Sequence, residues 1–192
     1  MKSSASLLDG EGLALQAGAR MLLRGLDLTV RAGELWCVLG PNGSGKTTLL
    51  HTLAGLRAPA AGRVRWRGRD ARAWPVDEAA RLRGLLPQHL HDRVAVRAIE
   101  IVLMGRHPLL SRWGWEDETD AAIALDALHA VGAEALAERN VVSLSGGERL
   151  RAGLACVFAR RDPPELLILD EPTNHLDLDA IEVLEAALSD FD

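Results

Sequence analysis

At 192 residues and 48% apolar content, the chain has the size of one compact domain and can bury a core without disulfide or metal staples. Its two cysteines, Cys37 and Cys156, lie far apart inside apolar runs, in no Cys/His spacing that builds a zinc site, and read as buried thiols of a reducing compartment. The net charge of −5 is uneven, with twelve arginines against five acids from Arg57 to Arg112 and eighteen acids against five arginines from Glu116 to Asp192; the basic part carries no nucleic-acid motif and only irregular tryptophans (Trp66, Trp74, Trp113, Trp115), so it reads as a solvated arginine-rich surface.

The N-terminal MKSSASLLDGEG has no long apolar stretch, and Leu35–Leu39 and Leu166–Leu169 are too short to span a bilayer. The expectation is a soluble, untargeted chain whose membrane role comes through a partner. No internal repeat appears, and short strands and helices alternate in the manner of an α/β sheet. Leu22–Val30 reads as a strand, Ala32-Gly33 as a turn, and Glu34–Leu39 as an apolar strand running into a glycine-rich loop. Thr47–Leu56 is expected as a helix, Arg63–Arg67 as a strand and Asp77–Arg83 as a short helix. Asp117–Val131, with Ile123, Leu125, Leu128 and Val131, and Gly147–Ala159, with Leu150, Leu154, Val157 and Phe158, have amphipathic helical spacing. After Pro163-Pro164, Leu166–Leu169 reads as a buried strand ending at Asp170, and Asp179–Leu188 as a helix opened by Asp179 and Glu182 in capping-box spacing.

The most specific segment is Gly40, Pro41, Asn42, Gly43, Ser44, Gly45, Lys46, Thr47, which has the spacing of a P-loop and lies where one must lie, ahead of the Thr47–Leu56 helix that Thr48 continues. Glycines let successive backbone N–H groups turn inward and meet phosphates at a helix N-terminus. Lys46, one of only two lysines, supplies a point charge for the β- and γ-phosphates, and the Thr47 hydroxyl a magnesium ligand. Downstream, the apolar Leu166–Leu169 run delivers Asp170 and Glu171 to a strand end, where Asp170 would hold the magnesium shell and Glu171 would place the attacking water.

P-loops serve kinases, GTPases and helicases alike. Leu144-Ser145-Gly146-Gly147-Glu148, set ahead of an amphipathic helix and before the Asp170-Glu171 strand, resembles the signature sequence of the ATP-binding cassette (ABC) family. The resemblance implies an α/β P-loop NTPase, with a RecA-like core, an antiparallel β subdomain and an α-helical signature subdomain. It implies one ABC ATP-binding domain over residues 1–192, with about 1–88 and 160–192 as catalytic core and 89–159 as signature subdomain. It also implies that Ser145, Gly146, Gly147 and Glu148 meet the nucleotide held by the P-loop of a second cassette, so that two copies pair head to tail. Gln88 matches the glutamine that contacts magnesium and the attacking water, and Leu176-Asp177 the loop that crosses the dimer interface.

Ile99–Pro108 with the signature is similar to ATPases of importers for iron-siderophore, haem and vitamin B12 (cobalamin), in which the segment between Gln88 and the signature docks on the permease. Implied partners are a second nucleotide-binding domain, transmembrane permease subunits and, through them, a substrate-binding protein. The implied place is the cytoplasm, at the inner face of the membrane, and no nucleic acid is expected. The rival reading is a non-transport ABC protein acting as a ribosome-associated ATP switch, because Leu166–Asp192 resembles the tandem-cassette translation factors.

Three departures from the family pattern stand out. Ala17 falls about where an aromatic would stack on adenine, leaving Leu22 or Arg20 to cover the base. Arg149 stands where glutamine is frequent. The family's switch histidine belongs to a strand past Asp192, and His175 is not its equivalent, so this chain, read as C-terminally truncated, is expected to bind ATP but to hydrolyse it slowly. The histidines His89, His91, His107 and His129 do not converge on one helix face and read as structural or solvated.

Overall fold

A computed structural model describes residues 6–88, 95–106, 118–160, 163–172 and 178–189. His89, His91, His107, Pro108, Trp113, Trp115, His175, Leu176 and Asp177 lie outside the described residues. The chain forms two compact units: the described residues up to 85 together with 165–170, and those from 86 to 164 together with those from 171 on.

The first unit is built on a four-stranded sheet of order β2-β1-β3-β4, with β1 at Ser6–Ala17, β2 at Arg20–Arg31, β3 at Ala61–Trp66 and β4 at Arg69–Asp70. All its pairings are antiparallel. Arg67 and Gly68, both at positive φ, make the two-residue turn from β3 to β4 that a right-handed twist favours. Helix α1 (Lys46–Leu53) and helix α2 (Val76–Leu82) pack their apolar residues with the sheet around Leu8, Leu13, Leu53, Val64 and Trp66. Trp66 is only 1% exposed, and its ring N–H donates to the Leu53 carbonyl at 2.9 Å, so the one polar atom of the largest buried side chain is satisfied. Leucines buried this fully, as Leu8 and Leu13 are, contribute about 1.5–3 kcal/mol each. A two-stranded sheet joins β5 (Arg83–Leu86) to β6 (Leu166–Leu169).

Sequence expectation and structure part in several places. The β1 strand is missed by periodicity because its ladder is broken by irregularities between Gly10 and Leu13 and again near Leu15, which place Leu13, Ala14 and Leu15 side by side in the core. The expected strand Glu34–Leu39 is not a strand: no ladder pairs it, and Leu35 and Leu39 stand 76% and 90% exposed. An apolar run becomes a buried strand only when a neighbour supplies its backbone partners, and none does so among the described residues. Cys37 in the same segment is therefore exposed, against the expectation of a buried thiol. Burial does push the Cys156 thiol above its ordinary value.

The second unit is helical. Helices α3 (Ala98–Met104), α4 (Glu118–Ala130) and α5 (Gly146–Phe158) bury Ala98, Ile101, Val102, Ala124, Leu128, Leu150 and Leu154, and helix α6 (Leu178–Ser189) contributes Leu184. Leu125 on α4 faces out, contrary to its expected place on the apolar face; the buried stripe runs through Asp120, Ala124, Ala127 and Leu128 instead. At Gly105 the end of α3 comes so close to α5 that an added Cβ would lie 2.0 Å from the Cys156 carbonyl oxygen. That approach sets the adjoining Arg106 beside the Asp120 carboxylate (Nε to Oδ1, 2.8 Å) and the Ala159 carbonyl (Nη1 to O, 3.2 Å), both acid and base being buried.

Most of the described arginines in the basic middle of the chain are solvated, and several are paired with acids. Arg63 and Arg65 both reach Glu11, Arg67 pairs with Glu165, and Arg97 pairs with Glu100 and Glu138. Most of these pairs are exposed, where solvent screening leaves little net stabilisation.

Candidate nucleotide site

The loop ahead of α1 has the backbone its sequence calls for. Gly43 and Gly45 take φ of 75° and 102°, and Gly45 is the N-cap of α1. A Cβ at Gly45 would meet Leu22 Cδ1 at 2.9 Å, so both the left-handed backbone and the close approach exclude a side chain there. The Ser44 N–H donates to the Pro41 carbonyl at 3.2 Å, and the Lys46 ammonium donates back to the carbonyls of Gly40 (3.0 Å) and Pro41 (3.3 Å). The loop thus curls around the lysine head while α1 begins directly behind it, so that a helix N-terminus and a cation serve the same spot. Thr48 lies within the first turn of α1.

In the same unit, the Thr47 hydroxyl donates to Asp170 Oδ1 at 3.2 Å, across 123 residues of sequence. Asp170, at the end of β6, is only 2% exposed. A carboxylate withdrawn from water to this degree needs a compensating partner, and a hydroxyl gives less than a cation would. Two hard oxygens, one of them a carboxylate, at the mouth of a phosphate-binding loop fit magnesium, which prefers one or two protein oxygens beside phosphate and water. Thr47 and Asp170, the two residues expected as metal ligands, thus lie within hydrogen-bond distance of each other.

Gln88, expected to share that metal, belongs to the second unit and there bonds to Glu171, its Nε2 donating to Oε2 at 2.8 Å. Glu171 sits at φ 50°, a left-handed conformation unusual for a residue with a side chain. Such a departure is retained where it aims a functional group. The pair holds a carboxylate next to an amide, which can orient a water molecule by accepting from it and donating to it.

The signature turn is also in the second unit. Ser145 caps α5: its hydroxyl accepts from the Glu148 N–H at 3.3 Å, and Glu148 Oε2 accepts from the Ser145 N–H at 2.7 Å. This is the reciprocal capping box, and it leaves the N–H groups of Gly146 and Gly147 at a helix N-terminus. The Ser145 backbone N–H, followed by the Arg139 guanidinium, holds the Glu148 carboxyl below the usual carboxylate range against the opposing effect of partial burial. Arg149, where the family favours glutamine, donates from Nε to the Leu144 carbonyl at 2.9 Å. Of the residues considered for adenine, Ala17 ends β1 exposed, while Leu22 lies against Gly45.

These features agree with what the chain is similar to. The ABC transporter family model matches residues 23–174. The chain belongs to the ABC transporter family. The hemin import ATP-binding protein HmuV of Gloeobacter violaceus is 45% identical over 177 residues, covering 90% of this chain and 64% of that protein. The protein of the same name from Pseudomonas entomophila is 44% identical over 174 residues, covering 89% of this chain and 67% of its own length. Among solved structures, a candidate ABC transporter of the metal-chelate type in an inward-facing conformation matches with TM-score 0.76 at 30% identity, over 96% of this chain and 67% of that one. The chain therefore spans about two thirds of the length of these relatives.

Within this ABC cassette the fold is that of an α/β P-loop NTPase with an antiparallel sheet and a helical signature region. No helix among the described residues is long and apolar enough to cross a membrane. A residue beside the signature turn that sequence reasoning does not single out is Arg139, whose guanidinium bonds to Glu148 Oε1. No spacing rule marks it, because its contact depends on how the chain turns between residues nine apart in sequence.

Proposed function

We propose that this chain is the ATP-binding and ATP-hydrolysing subunit of an ABC importer, in which ATP draws two copies together head to tail and hydrolysis releases them. The observation that carries the reading is the buried Asp170 carboxylate bonded to Thr47, the residue next to the loop lysine Lys46. Gly40, Pro41, Asn42, Gly43, Ser44, Gly45, Lys46, Thr47 and Thr48 bind the triphosphate through loop amides, the ammonium and the helix N-terminus. Thr47 and Asp170 would hold magnesium, with Gln88 as the further ligand expected from the family, and the ion would supply charge neutralisation for the phosphates. Glu171, braced by Gln88, places the attacking water and takes up its proton. Ser145 and the amides of Gly146 and Gly147 close over the γ-phosphate of the opposite copy, with Glu148 holding their turn.

The names of the relatives favour haem among the metal-chelate cargoes, with permease subunits and a substrate-binding protein as partners and a cytoplasmic place at the membrane's inner face. The division into catalytic core and signature subdomain belongs to the same proposal.

Two variants test it. Lys46→Ala is expected to weaken ATP binding by at least about tenfold, read by titration with a fluorescent ATP analogue, since one charge-assisted contact is worth roughly 1.5–3 kcal/mol. Glu171→Gln keeps the affinity and lowers turnover by about a hundredfold or more, the usual size of a lost general base. Unchanged ATP affinity in Lys46→Ala, or full turnover in Glu171→Gln, refutes the assignment.

A further inference from the structure

Both carboxylate oxygens of Glu148 are engaged. Oε2 accepts from the Ser145 N–H at 2.7 Å and closes the capping box, while Oε1 accepts from Arg139 Nη1 at 2.5 Å. The second arm of the same guanidinium donates from Nη2 to the Ser143 carbonyl at 3.3 Å, two residues before the cap serine. Arg139 thus clasps the approach to the turn and its first helical carboxylate at once.

The backbone of Arg139 is held independently. Its carbonyl accepts the Ala98 N–H at 2.9 Å, its own N–H donates to the Leu136 carbonyl at 2.8 Å, and the next residue, Asn140, is bridged to Arg97. Asn140 in turn accepts the Val142 N–H on its side chain at 3.0 Å. The guanidinium therefore extends from a segment fixed to the start of α3. A capping box without such a brace leaves a glutamate side chain with several rotamers, only one of which bonds the cap N–H. A planar two-armed donor removes that freedom in a way an ammonium, with its single point of charge, does only in part.

We propose that Arg139 is a positioning residue for the signature turn: by holding Glu148 Oε1 and the Ser143 carbonyl it keeps Ser145 and the amides of Gly146 and Gly147 in the orientation that receives the γ-phosphate of a second copy. The inference rests on the reading that this turn closes over the opposite nucleotide. It adds a residue outside the signature itself, one that touches no nucleotide and acts through Glu148. Losing Arg139 should leave the P-loop half of the site as it was and weaken only the half that needs the turn.

The test uses the whole chain carrying Glu171→Gln, so that bound ATP persists, and compares Arg139→Ala, Arg139→Lys, Ser145→Ala, Glu148→Ala and the double variant Arg139→Ala with Glu148→Ala. In Arg139→Ala, binding of a fluorescent ATP analogue at protein concentrations too low for pairing stays within about twofold, whereas the ATP-driven association constant, by sedimentation velocity, falls about tenfold, the value of one charge-assisted hydrogen bond. Arg139→Lys recovers part of the loss. Adding Arg139→Ala to Glu148→Ala costs less than adding it to the parent, as expected for a residue that acts through Glu148.

Amide hydrogen exchange separates positioning from misfolding: the Ser145 N–H exchanges faster in Arg139→Ala, while the Ala98 N–H, bonded to the Arg139 backbone, stays protected. Pairing at parental strength in Arg139→Ala, additive losses in the double variant, or loss of protection at both amides overturns the proposal. If Ser145→Ala also pairs like the parent, the closing of the turn over a second nucleotide falls with it; if Ser145→Ala weakens pairing and Arg139→Ala does not, only the role of Arg139 is overturned.

Discussion

A buried ion pair stands out among individual side chains. Arg106 and Asp120 are both buried, bonded to each other at 2.8 Å, with the Ala159 carbonyl taking a second arm of the guanidinium. Removing one partner leaves a charge stranded in the interior, so Asp120→Ala is expected to destabilise the helical unit by about 3–5 kcal/mol in urea unfolding. Replacing both residues by apolar ones of similar size should cost far less, since desolvation offsets most of what the pair contributes. Next to them Gly105→Ala would force a methyl to 2.0 Å from the Cys156 carbonyl oxygen, and a loss of roughly 1–3 kcal/mol is expected as α3 is pushed from α5. Neither feature was legible in the sequence: Arg106 and Asp120 are two ordinary charges 14 residues apart, and nothing local shows that both face inward.

Among the helices and strands, α5 carries the clearest link between sequence and stability. Serine and glutamate three residues apart form the capping box at its start, and the Glu148 carboxyl is held below its ordinary value by the Ser145 N–H and Arg139. A carboxyl depressed on folding contributes stability that is fully present above its unfolded value and is lost as pH falls through its folded value. The first turn of α5 should therefore be insensitive to pH near neutrality and loosen in acid below about 4.5, the ordinary glutamate value. Amide exchange at Ser145 and Glu148 checks this, and Glu148→Gln should flatten the dependence. The Glu34–Leu39 segment teaches the opposite lesson. Its apolar run has strand composition, but strand formation depends on a neighbour, and Leu35, Trp36 and Leu39 stand exposed without one among the described residues.

For the molecule as a whole, ATP binding should appear as stability of the unit that holds Lys46. A ligand at about a hundred times its dissociation constant adds about 2.7 kcal/mol to the state that binds it. For a protein of this size that corresponds to a rise in Tm of roughly 5–10 °C. Thermal unfolding with and without MgATP measures it, and Lys46→Ala should abolish the shift. Within the helical unit, the Ser145 turn should respond to ATP only under conditions in which two copies pair.

The nucleotide loop, the acids after β6 and the signature turn were readable in advance because each is a local backbone device. A few glycines, a serine cap or a short apolar strand constrain conformation within less than ten residues, and the chemistry follows from that conformation. The antiparallel β1, the Gln88–Glu171 bond, the Thr47–Asp170 bond at 123 residues' separation and the clasp of Arg139 on Glu148 follow from chain closure. Contacts of that kind depend on which elements pack together and on how much water they exclude, a property of the folded core as a whole that no stretch of sequence carries alone.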